Sequence, residues 1–193
     1  MVRMAASTRI TAGAWRGRLI ETPRGLGVRP TRSLIRQSLF NILGDTVAGI
    51  DMLDLYAGAG TVGFEALSRG AASVTFVDRD PAALRVISLT AERFACGGRC
   101  RILRSDVAAW LRRNPEAAAA AGIAFIDAPY RDDELALTLD LLGAHPPALV
   151  VCEHHHKRQL PERIGTLRRA RETRHGLTTL TFLQRSSDGA GAT

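Results

Sequence analysis

Five short apolar runs, at residues 52–56, 74–78, 101–104, 123–127 and 149–153, alternate with stretches of helical spacing near 61–69, 80–95, 106–113 and 132–143. That alternation is the strongest constraint on the fold. Strands joined through helices run parallel, and a parallel sheet must be covered on both faces. The chain therefore reads as an α/β protein with a doubly wound, mostly parallel sheet. The pattern changes towards the end, where residues 166–173 and 177–184 flank Arg174-His175-Gly176 and predict an antiparallel hairpin. Residues 186–193 are small and polar and read as a flexible tail. At the start, residues 9–22 read as two short strands around a glycine-containing turn, closed by Pro23 and Gly25, with Pro30 marking the next boundary. From Thr31, the spacing of Leu34, Ile35, Leu39, Ile42 and Leu43 predicts a helix that Gly44 can stop. Three parts are expected: a β-hairpin extension over 1–30, an α/β domain over 31–185 and the tail.

Charge divides along the same lines. The net charge is +7, but residues 1–36 hold eight Arg and one acid, Glu21, whereas residues 37–156 carry a net −5 and residues 157–193 a net +5. A basic head on an acidic body suggests a polyanion partner at one end. Within the head, Trp15 between Arg16 and Arg18 offers a stacking face beside phosphate contacts. No apolar run approaches the ~18 residues of a membrane helix, and the first residues lack the apolar stretch of a secretory signal. Cys96, Cys100 and Cys152 are too few, and odd in number, for a disulfide framework. A soluble monomer of the reducing cytosol is expected, with no membrane partner.

The first strand of the α/β region runs into Asp54-Leu-Tyr-Ala-Gly-Ala-Gly-Thr-Val-Gly63, a G-x-G-x-x-G turn ahead of a helix. Glycines there let the backbone turn sharply and approach a ligand closely. Asp78 ends the next strand, where a carboxylate can take both hydroxyls of a ribose. Both a dinucleotide and S-adenosylmethionine fit these signals. Three features favour the second. Asp54 and Tyr56 put a carboxylate at the strand end, facing a bound amine rather than a pyrophosphate. Ser105-Asp106 ends the third strand, where an acceptor could meet an adenine amino group. Asp127-Ala128-Pro129-Tyr130 ends the fourth, where open α/β sheets place ligands. His154-His155-His156 has no partner at metal-site spacing, and no metal is expected. Cys96 and Cys100, around Gly97-Gly98, read as plain thiols.

On these stretches the chain resembles the small-subunit ribosomal RNA guanine-N2 methyltransferase (RsmD) family over about residues 9–185. The matching segments are Arg9-Ile-Thr-Ala-Gly-Ala-Trp-Arg-Gly-Arg18, Arg29-Pro-Thr31, Arg36, Leu39-Phe-Asn41, Asp54-Leu-Tyr-Ala-Gly-Ala-Gly60, Gly63-Phe-Glu-Ala-Leu-Ser-Arg-Gly-Ala71 and Asp127-Ala-Pro-Tyr130. The glycine turn and the Asp-x-Pro-Tyr segment are shared by many amino-group methyltransferases; the amino-terminal segments narrow the match. Ala128 stands where the family usually has Pro, and Ser33-Leu-Ile-Arg-Gln37 replaces its usual charged stretch after Arg-Pro-Thr.

The resemblance implies a seven-stranded class I methyltransferase fold, S-adenosylmethionine as methyl donor, and a guanine of 16S rRNA, in a small-subunit assembly particle, as acceptor. It further implies cofactor contacts from Asn41, Asp54, Tyr56, Gly58, Gly60, Asp78, Arg79 and Asp106. RNA contacts would come from Trp15, Arg16, Arg18, Arg29, Thr31 and Arg36, and catalysis from Asp127, Ala128, Pro129 and Tyr130. In that loop Asp127 and the Ala128 carbonyl would each accept a hydrogen from the target amine, and Tyr130 would stack on the base. A DNA adenine amino-methyltransferase, a nicotinamide-dependent dehydrogenase and a noncatalytic RNA-binding relative are the alternatives.

Overall fold

A computed structural model describes residues 4–23, 30–129 and 132–186 of the chain. Arg29 and Tyr130 lie outside the described residues, as does the tail beyond Ser186; Thr31 lies in a helix, but its side chain is not among those described. Strands β1 (Met4–Arg9) and β2 (Leu19–Pro23) form a two-stranded antiparallel sheet. Helix α1 (Pro30–Leu43) leads into β3 (Asp51–Leu55), α2 (Thr61–Ser68), β4 (Ser73–Asp78), α3 (Pro81–Arg93) and β5 (Cys100–Arg104). Helices α4 (Val107–Arg113) and α5 (Pro115–Ala120) precede β6 (Ile123–Ile126), α6 (Asp132–Ala144) and β7 (Leu149–His155). The chain closes with β8 (Arg163–Ile164), β9 (Leu167–His175) and β10 (Thr178–Arg185).

The large sheet has the order β5-β4-β3-β6-β7-β10-β9-β8. The first five of these strands are parallel, and β10, β9 and β8 add antiparallel. The fold is thus the expected class I methyltransferase arrangement, with the two-residue β8 as an eighth strand at the edge. Order reverses between β3 and β6, which makes their carboxyl ends the switch point where such sheets bind ligands. Side-chain alternation assigns the two core layers. Phe125, Val151 and Phe182 pack with Phe40, Phe64 and Ile87 of α1, α2 and α3 on one face. Their neighbours Ile126, Cys152 and Leu183 pack with Trp110, Leu111 and Leu139 of α4 and α6 on the other.

The amino-terminal hairpin differs from the expected one. Its strands are 4–9 and 19–23, and residues 10–18, read above as strand and turn, form a loop seated on α2. The reason lies in α2. Glu65 is fully buried, and a buried carboxylate requires donors. It accepts from the Thr11 N–H (2.9 Å) and hydroxyl (2.5 Å), the Ala12 N–H (3.1 Å) and Arg69 Nε (3.0 Å). Ser68 adds a second anchor, accepting from the Trp15 N–H at 2.9 Å and donating to the Ala12 carbonyl at 2.6 Å.

Arg36 belongs to the same network, which corrects its expected place on the RNA face. It is 4% exposed, pairs with Glu65 at 3.4 Å and donates to the Arg9 carbonyl at 2.7 Å. Burial pushes its guanidinium below the ordinary value, and the Glu65 charge opposes that shift. Trp15 is half-buried against Phe94, with ring centroids 5.0 Å apart. Arg18 lies over the Phe94 ring at 4.1 Å and donates to the Arg93 carbonyl at 2.5 Å. Only Arg16 of that trio is exposed without a bond to the body among the described residues.

Candidate active site

The glycine turn at the end of β3 is held by carboxylates from two strands. Asp54, 2% exposed, accepts the Gly63 N–H at 2.9 Å. Asp78 accepts the Gly58 N–H at 2.8 Å through one oxygen and the Asp80 N–H at 2.8 Å through the other. These hydrogen bonds fix the shape of the turn. Its glycines serve different ends. A Cβ on Gly63 would meet the Phe76 ring at 2.3 Å, so Gly63 lets α2 close on β4. Gly58 has φ +54°, and a Cβ there would meet nothing within 4 Å, so its face is open to a ligand. Gly60 is the cap residue just before α2, and a Cβ there would meet Ile87, Phe76 and Phe64 rather than open space.

Burial pushes the Asp54 carboxyl up to about 8; the charges of Asp127 and Asp78 add to the rise, and the Gly63 hydrogen bond opposes it. Asp78 and Asp127 therefore stand near enough to Asp54, at the switch point, for their charges to act on its carboxyl. Tyr56 turns the chain out of β3 with φ 60°, an unusual value for a residue with a Cβ. Its phenol bonds the Thr138 hydroxyl of α6 at 2.8 Å, and burial raises its pKa. Arg79 reaches the same helix, at Glu134, across 3.4 Å. Asp106 caps α4 by accepting the Ala109 N–H at 2.9 Å and is exposed beside the ends of β4 and β5.

Asn41 is not brought to this cluster. It is exposed on α1 and lines a separate groove with Gln37, Ser38, Arg171, Thr173 and His175. The cofactor expectation for Asn41 is corrected on that ground: an α1 side chain facing β9 is on the far side of β10 and β7 from the glycine turn.

Across the switch point, β6 ends at Ile126, and the Asp127 N–H lies 3.4 Å from the Leu55 carbonyl. Asp127 is half-buried, Ala128 buried and Pro129 exposed. Ala128 and Pro129 form one wall of a cavity of about 610 Å³, completed by Leu135, Glu153, His154, His155, Lys157 and Arg158. Glu153, Lys157 and Arg158 were not singled out from the sequence. The available signal was position: Glu153 ends the apolar run 149–153 as Asp78 and Asp127 end theirs. His154 is 3% exposed, and its Nε2 meets the Thr181 hydroxyl at 2.8 Å. Burial lowers its pKa. Among the described residues no group of three His, Cys, Asp or Glu side chains could hold a metal ion, and no helix is long and apolar enough to cross a membrane.

Residues 8–184 match the family described as "Conserved hypothetical protein 95". The chain is 31% identical over 185 residues to ribosomal RNA small subunit methyltransferase D of Escherichia coli (strain K12), spanning 94% of this chain and 91% of that one. The protein of the same name from Haemophilus influenzae is 30% identical over 149 residues, 75% of this chain and 77% of its own. Among solved structures, the Escherichia coli protein yhhF superposes with a TM-score of 0.82 at 30% identity, covering 94% of this chain and 99% of that one. A Thermus thermophilus 16S rRNA N2 G1207 methyltransferase, solved with AdoMet and guanosine, shares the fold at a TM-score of 0.73 and 21% identity, over 94% of this chain and 50% of its own.

Proposed function

We propose, for a chain that belongs to the ribosomal RNA small subunit methyltransferase D family, that it transfers a methyl group from S-adenosylmethionine to the exocyclic N2 amine of a guanine in 16S rRNA. The observation that carries this reading is the meeting, at one switch point, of a preformed glycine turn with the Asp127-Ala128-Pro129 segment beside a cavity. The turn fits the donor: Gly58 presents open backbone, and Asp78 sits at its edge. S-adenosylmethionine supplies an activated methyl on a sulfonium, which leaves positioning as the protein's main task.

Residues of this chain divide that task. Gly58 and Asp78 hold the donor, with Asp54 beneath the turn; a bound ammonium group near Asp54 would draw its carboxyl back towards ionisation. Asp106 and Tyr56 border the same site. An exocyclic guanine amine is a weak nucleophile because its lone pair is delocalised into the ring. Asp127 and the Ala128 carbonyl accept its hydrogens and favour the localised form, and preorganised acceptors help most as positive charge develops on nitrogen. Pro129 biases Ala128 towards extended backbone, and Tyr130 stacks on the base. A base inside a helix is out of reach, so the target is flipped or already unpaired. Arg16, Arg29 and Thr31 meet the RNA, with Trp15 and Arg18 fixing the loop that carries Arg16. The enzyme works as a cytoplasmic monomer on a small-subunit assembly particle, through a methyltransferase domain over 31–185 and an RNA-facing extension over 1–30.

The test is transfer of a labelled methyl group onto small subunits that lack the modification, followed by nucleoside analysis. N2-methylguanosine is the expected product. Label in N6-methyladenosine, or no label in 16S rRNA, overturns the reading.

A further inference from the structure

Helix α1 carries two stripes. Ile35, Arg36, Leu39, Phe40 and Leu43 are buried, whereas Leu34, Gln37, Ser38, Asn41 and Ile42 repeat at three- and four-residue spacing on another side. The second stripe forms one wall of a groove of about 510 Å³. Arg171, Thr173 and His175 form the facing wall, and alternation puts all three on one face of β9. The register of the sheet relates this groove to the acceptor side. Thr178 of β10 stands opposite His155 of β7 on one side and His175 of β9 on the other. His155 lines the cavity that Ala128 and Pro129 also line. The His175 end of the groove is therefore level with the cavity wall at His155, two strand spacings or roughly 10 Å away.

The chemistry of the lining selects a partner. Among the described residues none that lines the groove is acidic. On β9, Arg169 is engaged by Glu162 and Glu172, and Arg174 by the Gly176 carbonyl. Arg171 is exposed and holds no such partner among the described residues, and the exposed amides of Gln37 and Asn41 are equally uncommitted there. A free guanidinium suits a phosphate. Amides and hydroxyls both donate and accept, as base edges and the ribose 2′-hydroxyl do. Leu34, 62% exposed, adds a surface on which a base can pack. The core of a protein–protein interface is apolar, whereas only Leu34 and Ile42 are apolar here. We propose that this groove seats the single-stranded RNA leading away from the target nucleotide, with Arg171 on a phosphate and Gln37, Ser38 and Asn41 on bases and ribose. This rests on the 16S rRNA substrate proposed above. It adds an RNA contact outside the amino-terminal extension, and it gives part of the net +5 of residues 157–193 a role.

The test measures equilibrium binding to small subunits that lack the modification, across salt concentrations. Arg171→Gln is expected to weaken binding and to lower the slope of log affinity against log salt by about 1, the loss of one phosphate contact. Arg171→Lys keeps the charge and is expected to keep the slope. Gln37→Ala combined with Ser38→Ala is expected to weaken binding by about 10-fold, the scale of two uncharged hydrogen bonds, with the slope unchanged. Affinity for S-adenosylhomocysteine should stay at the wild-type level in every variant, which separates RNA contact from a general loss of structure. The class of partner is read by crosslinking: a photoreactive benzophenone amino acid in place of Leu34 is expected to attach to 16S rRNA. Attachment to a ribosomal protein instead, or variants that bind subunits as the wild type does, overturns the role of the groove alone when the wild type still transfers labelled methyl. A wild-type enzyme that transfers no methyl to 16S rRNA overturns the underlying activity and this role with it.

Discussion

The two sides of the β3/β6 switch point are built by different means. On the donor side, Asp54 and Asp78 brace the N–H groups of Gly63, Gly58 and Asp80, so the binding surface is a backbone turn together with the half-buried Asp78 at its edge. Everything needed lies within about one strand–helix–strand unit. On the acceptor side, the cavity is lined by side chains from three separated segments, around 128–129, 135 and 153–158. A ligand common to many enzymes can be held by backbone shape, while a particular base needs side chains brought together from distant parts of the chain.

The difference can be pressed hardest through Glu65, which supports the donor side by tying α1 and the amino-terminal loop to α2. Removing one partner of a buried ion pair typically costs about 3–5 kcal/mol. Glu65→Ala is expected to lose that much in urea denaturation; a loss below about 1 kcal/mol, the scale of a surface pair, would mean the network is not structural. Gly63→Ala comes next. Its Cβ would collide with Phe76, and overpacking costs about 1–3 kcal/mol. Gly58→Ala has no such collision, so S-adenosylhomocysteine affinity should fall more than its strained φ alone explains. Equal effects of the two substitutions on stability and on binding would erase the distinction between packing glycine and ligand-facing glycine.

The remaining effect is electrostatic. The folded Asp54 carboxyl, near 8, lies above its unfolded value. Its contribution is therefore fully present below the unfolded pKa and is lost as pH rises through about 8. Wild-type stability should fall relative to Asp54→Asn between about pH 5 and pH 9. Parallel pH profiles for the two proteins would show that Asp54 does not titrate in that window.

Much of the donor side was legible in the sequence because its signals are local. The run 52–56 with the glycines at 58, 60 and 63 specifies strand, turn and helix, and Asp78 marks the next strand end. The amino-terminal hairpin was misplaced because its loop is shaped by Glu65 and Ser68, more than fifty residues away. A charged residue inside an apolar helix pattern was the clue, but its partners are not encoded in spacing. Arg36 was read as RNA-facing for the same reason: on a one-dimensional chain a buried arginine and a phosphate-binding one look alike. Asn41 belongs to a helix whose docking on the sheet no local pattern fixes. Glu153, by contrast, could have been found, since it closes an apolar run of the sequence as Asp78 and Asp127 do.

The most direct test of this division uses Asp127→Ala. Two quantities are measured on one preparation: affinity for S-adenosylhomocysteine, and the single-turnover rate of methyl transfer onto undermodified small subunits. If the donor side binds and the acceptor side performs the chemistry, affinity stays at the wild-type level while the rate falls by about 100-fold or more, the usual cost of one preorganised polar group. A wild-type rate, or a rate and an affinity that fall together, would contradict the account.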